Sequence, residues 1–165
     1  MSTAEPADLS SDQFLMISLG AEVFALPATL VRDILEVSEM TPVPTAPPFV
    51  GYLVNVRGRV VPLASLHLRF GLPPATPTPD TRMVVLEIDI EDEATLVAIL
   101  ADKVLEVAPL DAVVAETLPR IGTRWEPGFA KAIGKRHGQF VMVLNIDQIF
   151  GISGDAAAVP NLPAP

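Results

Sequence analysis

Two stretches of this chain repeat one another at a fixed distance. Gly58, Val61, Phe70 and Gly71 return 80 positions later, without a gap, as Gly138, Val141, Phe150 and Gly151. Ser65 falls on Asn145 at the same offset, and both residue types favour helix N-caps. Each copy reads as a β-hairpin running into one capped helical turn. In the first copy the apolar run Tyr52–Val56 meets a turn at Arg57-Gly58-Arg59, where glycine takes a positive φ without steric cost. Val60-Val61 returns and ends at Pro62, Leu66 to Phe70 forms the helical turn, and Gly71 stops it. In the second copy Ala132-Ile133, the turn Gly134 to Gly138, and Phe140 to Leu144 make the hairpin. Asn145 then caps Ile146 to Phe150, and Gly151 ends the unit. Upstream, Ile34-Leu35-Glu36-Val37 matches Val104-Leu105-Glu106-Val107 at an offset of 70. This duplication predicts two similar small β-modules, each a partly closed barrel with few free edges. Neither half holds much core alone, so each needs the other for stability.

Composition narrows the function. The chain has 165 residues and 50% of them are hydrophobic, enough for one domain, or two small ones sharing an interface. A net charge of −9 repels nucleic acid and anionic lipid, and the single Trp and single Tyr cannot line an aromatic binding surface. With no cysteine there is no disulfide and no thiol catalysis, which suits a reducing cytoplasm. No apolar run reaches membrane-spanning length, and Ser2 to Asp12 lacks the blocks of a signal peptide.

Read in order, residues 1–12 form a polar, acidic tail, expected to be disordered. Gln13 to Leu19 is apolar on both faces, as in a strand buried on two sides, and Val23-Phe24-Ala25-Leu26 returns from a turn at Gly20-Ala21-Glu22. Pro27 opens a helix whose apolar face is Leu30, Ile34 and Val37, widened by Val31 and Leu35. The prolines from Pro42 to Pro48 give an extended approach to the first hairpin. A stiff proline-rich linker lies near residues 72–81. Arg82 to Ile90 and Thr95 to Leu100 are strands joined by the acidic turn Glu91-Asp92-Glu93. Asp102 to Leu110 reads equally as a helical turn or a bent strand. Asp111 to Arg124 is polar and irregular, a turn follows at Trp125-Glu126-Pro127-Gly128, and residues 153–165 form an Ala/Pro tail.

Catalytic chemistry is not indicated. His67 and His137 are the only histidines, neither with a nucleophile or acid at a known spacing, and both read as surface or edge residues. Glu91-Asp92-Glu93 lacks the spacing of a calcium loop, and Gly134-Lys135-Arg136-His137-Gly138 lacks the Ser/Thr of a phosphate loop. The odd feature is Arg57 and Arg59, two cations at the tip of a greasy hairpin in an acidic chain. Arg is favoured at protein interfaces, so the pair reads as a grip for a partner.

The run Asn55-Val56-Arg57-Gly58-Arg59-Val60-Val61-Pro62-Leu63, with Phe49-Val50 before it, closely resembles the core motif of the CheW-like domain. Leu19-Gly20, Val31-x-Asp33-Ile34, Ile99-Leu100-Ala101-Asp102 and Leu144-Asn145-Ile146-Asp147 extend the likeness over most of residues 14–150. Such domains form the chemotaxis coupling protein and the regulatory domain of its histidine kinase. The resemblance implies a mainly β fold of two intertwined, five-stranded SH3-like barrels with a few short helices, as one domain over residues 13–152. It implies a non-enzymatic adaptor without cofactor or metal, and without nucleic-acid binding or direct membrane insertion. Its partners would be the regulatory domain of a CheA-type histidine kinase and the cytoplasmic tip of a methyl-accepting chemoreceptor. The protein would be cytoplasmic and recruited to membrane-associated receptor arrays. Carried over by motif, Val31, Asn55, Val56, Arg57 and Gly58 face the receptor, and Asp33, Pro44, Phe49 and Tyr52 lie on the kinase side. The alternative is a ligand-binding sensor, or another interaction module of this fold acting outside motility. The chain departs from the family pattern in having Tyr52 and Ala98 where Gly is common, Ser65 for Asp, and His67 for Arg. The last two changes remove a charge pair.

Overall fold

The computed structural model describes residues 12–74, 76–115 and 129–150. The expected tails and the Trp125–Gly128 turn lie outside these residues, as does Gly151.

Among the described residues, twelve strands make two six-stranded sheets. The order in the first is β10 (Ala112–Ala115), β11 (Ala130–Arg136), β12 (Gln139–Leu144), β2 (Glu22–Pro27), β1 (Phe14–Leu19) and β9 (Lys103–Ala108). In the second it is β4 (Met40–Pro42), β5 (Tyr52–Val56), β6 (Arg59–Ala64), β8 (Glu93–Ala101), β7 (Arg82–Ile90) and β3 (Val31–Glu36). The two short helices, α1 (Leu66–Arg69) and α2 (Ile146–Ile149), follow β6 and β12. Two curled sheets with few helices agree with the mainly β, SH3-like expectation; the sixth strand of each is a short edge, β4 or β10.

The two sheets have the same plan, and the plan is an exchange. In both, the repeated hairpin (β5-β6 or β11-β12) pairs in parallel with an inserted hairpin, at Leu63↔Ala98 and Val143↔Ala25. The inserted hairpin comes from the other half of the chain: β1-β2 sits in the sheet of β9–β12, and β7-β8 in that of β3–β6. The sequence repeat is therefore not a self-contained module, and each half completes its sheet only with strands from the other.

The exchange explains why the inserted hairpins are apolar on both faces. Phe14, Met16 and Ala25 point into one barrel with Ala132, Val141 and Val143. Met83, Val85 and Ala98 point into the other with Val54, Val56, Val61 and Leu63. The alternate residues, Leu15, Ile17, Phe24 and Val84, Leu86, Ile99, meet in a shared central core. Leu66 and Phe70 after one hairpin, and Ile146, Ile149 and Phe150 after the other, plug that core. Phe70 stacks on Phe24, with ring centroids 5.2 Å apart and planes 10° from parallel. The expected caps form: Ser65 Oγ accepts the Leu68 N–H at 3.1 Å, and Asn145 Oδ1 accepts that of Gln148 at 3.3 Å. The 80-residue offset also covers Phe49 and Phe129, whose carbonyls each accept the N–H of the cap residue at 2.8 Å.

Several expectations are corrected or made more definite. The helix from Pro27 ends at once: Ala28–Leu30 is a single 3-10 turn and Val31–Glu36 is β3, with alternating half-buried and exposed residues. Val31, Ile34 and Val37 are β-branched, and the free edge of β7 gives the segment a ladder that outweighs its helical spacing. The segment 103–108, left open between two readings, is strand β9. Part of the supposedly irregular stretch after Asp111, residues 112–115, is strand β10, and Met40–Pro42 of the proline-rich approach is strand β4, before a 3-10 turn at Pro48–Val50. His67 is 3% exposed, not a surface residue. Its Nε2 lies 3.1 Å from both carboxylate oxygens of Asp102, which also accepts the Gly20 N–H at 2.6 Å.

Candidate protein-docking site

The first repeated hairpin turns on Arg57 and Gly58, both with positive φ (51° and 85°), the backbone of a type I′ turn. Glycine adopts this backbone freely and arginine only at a cost, so the ladder on either side holds Arg57 there. Asn55 Oδ1 accepts the Gly58 N–H at 2.9 Å and closes the turn from within. The tip projects into solvent.

Asp33 on β3 clasps the Arg57 guanidinium. Arg57 Nε donates to Asp33 Oδ2 at 2.5 Å and Nη2 to Oδ1 at 3.3 Å, a two-pronged pair. The Arg57 side chain is 70% exposed, that of Asp33 only 20%. The hydrogen bond from Arg57 holds the Asp33 carboxyl below the usual carboxylate range, and the same bond raises Arg57. One carboxylate thus orients a cation that keeps most of its surface free for a partner.

The other expected site residues fall around this pair at different depths. Val31 is half-buried on β3, beside the Asp33 strand register. Asn55 and Tyr52 are exposed on β5, and Pro44 is exposed in the approach. Val56 and Phe49 are buried, so their side chains serve the fold: Val56 fills the barrel core, and Phe49 lies in the central core against Arg69 and Phe150. Asp33 and Arg57, assigned by motif to different partners, stand on one surface.

The second hairpin repeats this device with other residues. His137 and Gly138 take the same positive φ values (55° and 78°). His137 Nε2 lies 3.0 Å from Glu106 Oε2, and the His137 N–H donates to Asp111 Oδ2 at 2.9 Å. Arg136 donates to Glu106 at 3.1 and 3.3 Å and to Asp111 at 2.9 Å. The Arg136 hydrogen bond is the chief reason that Glu106 sits below the ordinary range, and the His137 N–H is the chief reason for Asp111. No signal at the 70-residue offset could find this match, because Glu36 and not Asp33 falls on Glu106 there. Among the described residues no three His, Asp or Glu side chains are grouped to hold a metal ion, and no helix is long and apolar enough to cross a membrane.

The CheW-like domain family model matches residues 13–153. The chain belongs to the CheW-like domain family. Chemotaxis protein CheW of Treponema pallidum is 23% identical over 147 residues, covering 88% of this chain and 86% of that protein. The chemotaxis protein CheW of Rhizobium meliloti is 25% identical, covering 84% and 86%, and that of Helicobacter pylori 27%, covering 83% and 80%. The crystal structure of the scaffolding protein TtCheW from Thermoanaerobacter tengcongensis superimposes with a TM-score of 0.71 at 23% identity, covering 87% of this chain and 94% of that one. In this CheW-like domain the departure at His67 keeps a hydrogen-bonding partner, since Asp102 stands against the ring. Ala98 is fully buried in the row that joins β6, β8 and β7, packed in its barrel core.

Proposed function

We propose that this chain is a non-enzymatic adaptor that couples the cytoplasmic tip of a methyl-accepting chemoreceptor to the regulatory domain of a CheA-type histidine kinase, in the cytoplasm at receptor arrays. Relatives covering more than four-fifths of the chain bear the name chemotaxis protein CheW, which supports the role. The observation that carries the reading is the exposed Arg57 guanidinium, aimed by Asp33 from a turn closed by Asn55. A pre-oriented Arg loses little freedom on binding and suits a planar or carboxylate-bearing partner.

Val31, Asn55, Arg57 and Gly58 form the receptor face, with Val56 supporting the hairpin from inside. Asp33, Pro44 and Tyr52 form the kinase side, with Phe49 beneath the approach. The two faces meet at the Asp33–Arg57 pair, so one partner's grip on the pair alters the surface offered to the other.

The test is reconstitution. Purified protein, a receptor helical-hairpin fragment and a kinase regulatory domain are mixed and separated by size exclusion. A ternary complex that contains all three supports the adaptor, and failure to bind either partner refutes it.

A further inference from the structure

We propose a second docking surface on the outer face of β10–β11–β12, which takes an amphipathic helix whose apolar stripe is flanked by carboxylates. It stands apart from the receptor and kinase reading above, since it uses none of those residues.

The face follows from the strand register. Ala132, Val141 and Val143 point into the barrel, so Ile133 and Lys135 on β11 and Phe140 on β12 point out, and Lys131 is exposed at the bulge between Ala130 and Ala132. Lys135 pairs with Phe140 and Ile133 with Met142, whose side chain packs against the central core and closes the row at that end. Val114 bulges from β10 beside it, where the register slips between Val113 and Ala115. Phe140 is 62% exposed and Val114 51%. A large ring left in solvent, with a second exposed apolar residue two strands across, is the composition of an interface centre. The position is not incidental to the fold, because its counterpart 80 residues earlier, Val60, is 63% exposed at the same place in the other hairpin.

Charge selects the occupant. In this acidic chain, Lys131 and Lys135 flank the apolar centre, and neither has a carboxylate partner among the described residues. Lys135 Nζ instead lies 5.5 Å from the centre of the Phe140 ring. Glu22 is exposed two residues before Phe24, the partner of Met142, and is the acid at the margin of the row. Three strands span about 10 Å, close to the diameter of a helix. Four residues of strand separate the two lysines by about 13 Å, which two turns of helix roughly match. The fitting ligand carries Glu at i and i+7 with Leu at i+3 and i+4.

The probe is a helical peptide of that design, titrated against the full chain with backbone amide shifts followed by NMR. Binding is expected to map to Ile133, Lys135 and Phe140. It should weaken about tenfold or more in Phe140→Ser and in Lys131→Glu/Lys135→Glu, and persist in Arg57→Glu. Circular dichroism and the melting temperature of each variant show that the fold is kept, as expected for exposed positions. Equal binding by a peptide with Lys at i and i+7, shifts that map elsewhere, or no binding at all would overturn the proposal. So would a dimer in sedimentation that is lost in Phe140→Ser, because the face would then belong to a second copy.

Discussion

Asp33 and Glu106 occupy the same place in the two sheets. Asp33 pairs with Val85, which pairs with Ala98, which pairs with Leu63. Glu106 pairs with Met16, then Ala25, then Val143, the residue 80 positions beyond Leu63. Each strand slips its register one residue earlier, at Arg32 and at Leu105. Each carboxylate then reaches the tip of a hairpin, Arg57 in one sheet and His137 with Arg136 in the other. The fold holds two copies of one clasp with different residues at the tip.

The first clasp has a signed dependence on pH. Arg57 depresses the Asp33 carboxyl, so the contribution of the pair is present above the unfolded value, about 3.9, and is lost as pH falls through the lower folded value. The Arg57 Nε–H resonance is expected to keep its paired shift at pH 4 and to lose it only in stronger acid. Asp33→Asn should show the unpaired shift at every pH, with the melting temperature at neutral pH nearly unchanged, because exposed ion pairs add little stability.

The central core should respond far more. Phe70 is 1% exposed and touches rings from both halves of the chain, Phe24 and Phe129. Phe70→Ala is expected to cost about 3–5 kcal/mol in urea denaturation. A cost under about 1 kcal/mol would mean that the shared core does not hold the sheets together.

The His67–Asp102 contact ties α1 to the corner where the chain passes from β8 to β9, and through Gly20 to the β1-β2 turn. His67→Leu keeps the volume but strands part of the Asp102 carboxylate. A loss of about 1–3 kcal/mol is expected in the same assay. His67→Gln, which can still donate a hydrogen bond, should recover part of it.

Local signals carried the hairpin units and both caps into plain view, because Gly58, Ser65 and Phe70 act within one short stretch. The β3 segment looks helical in sequence because Leu30, Ile34 and Val37 satisfy a helical spacing, while the pairing with β7 lies about 50 residues away. The upstream repeat was legible only at the wrong offset: the apolar letters align at 70, whereas pairing aligns Asp33 with Glu106, 73 positions apart. His67 reads as a surface or edge residue in sequence because its partner is 35 positions along the chain. Of the candidate site, the Arg57 tip could be seen in sequence, but Asp33 as its clasp could not.

The hairpin exchange makes a prediction about pieces of the chain. A fragment of residues 1–76 has β1-β2 but not the β9 and β12 they pair with, and residues 77–165 have the complementary lack. Each alone should be unfolded by circular dichroism, and mixing the two should restore strand signal and a cooperative melt. Independent folding of either fragment would contradict the exchange.

The adaptor reading is tested most directly by titrating a receptor helical-hairpin fragment into the native chain and into Arg57→Glu, with the kinase regulatory domain as the control ligand. The receptor affinity is expected to fall about tenfold or more while kinase-domain binding and the melting temperature stay close to native. Unchanged receptor affinity in a folded Arg57→Glu protein would contradict it.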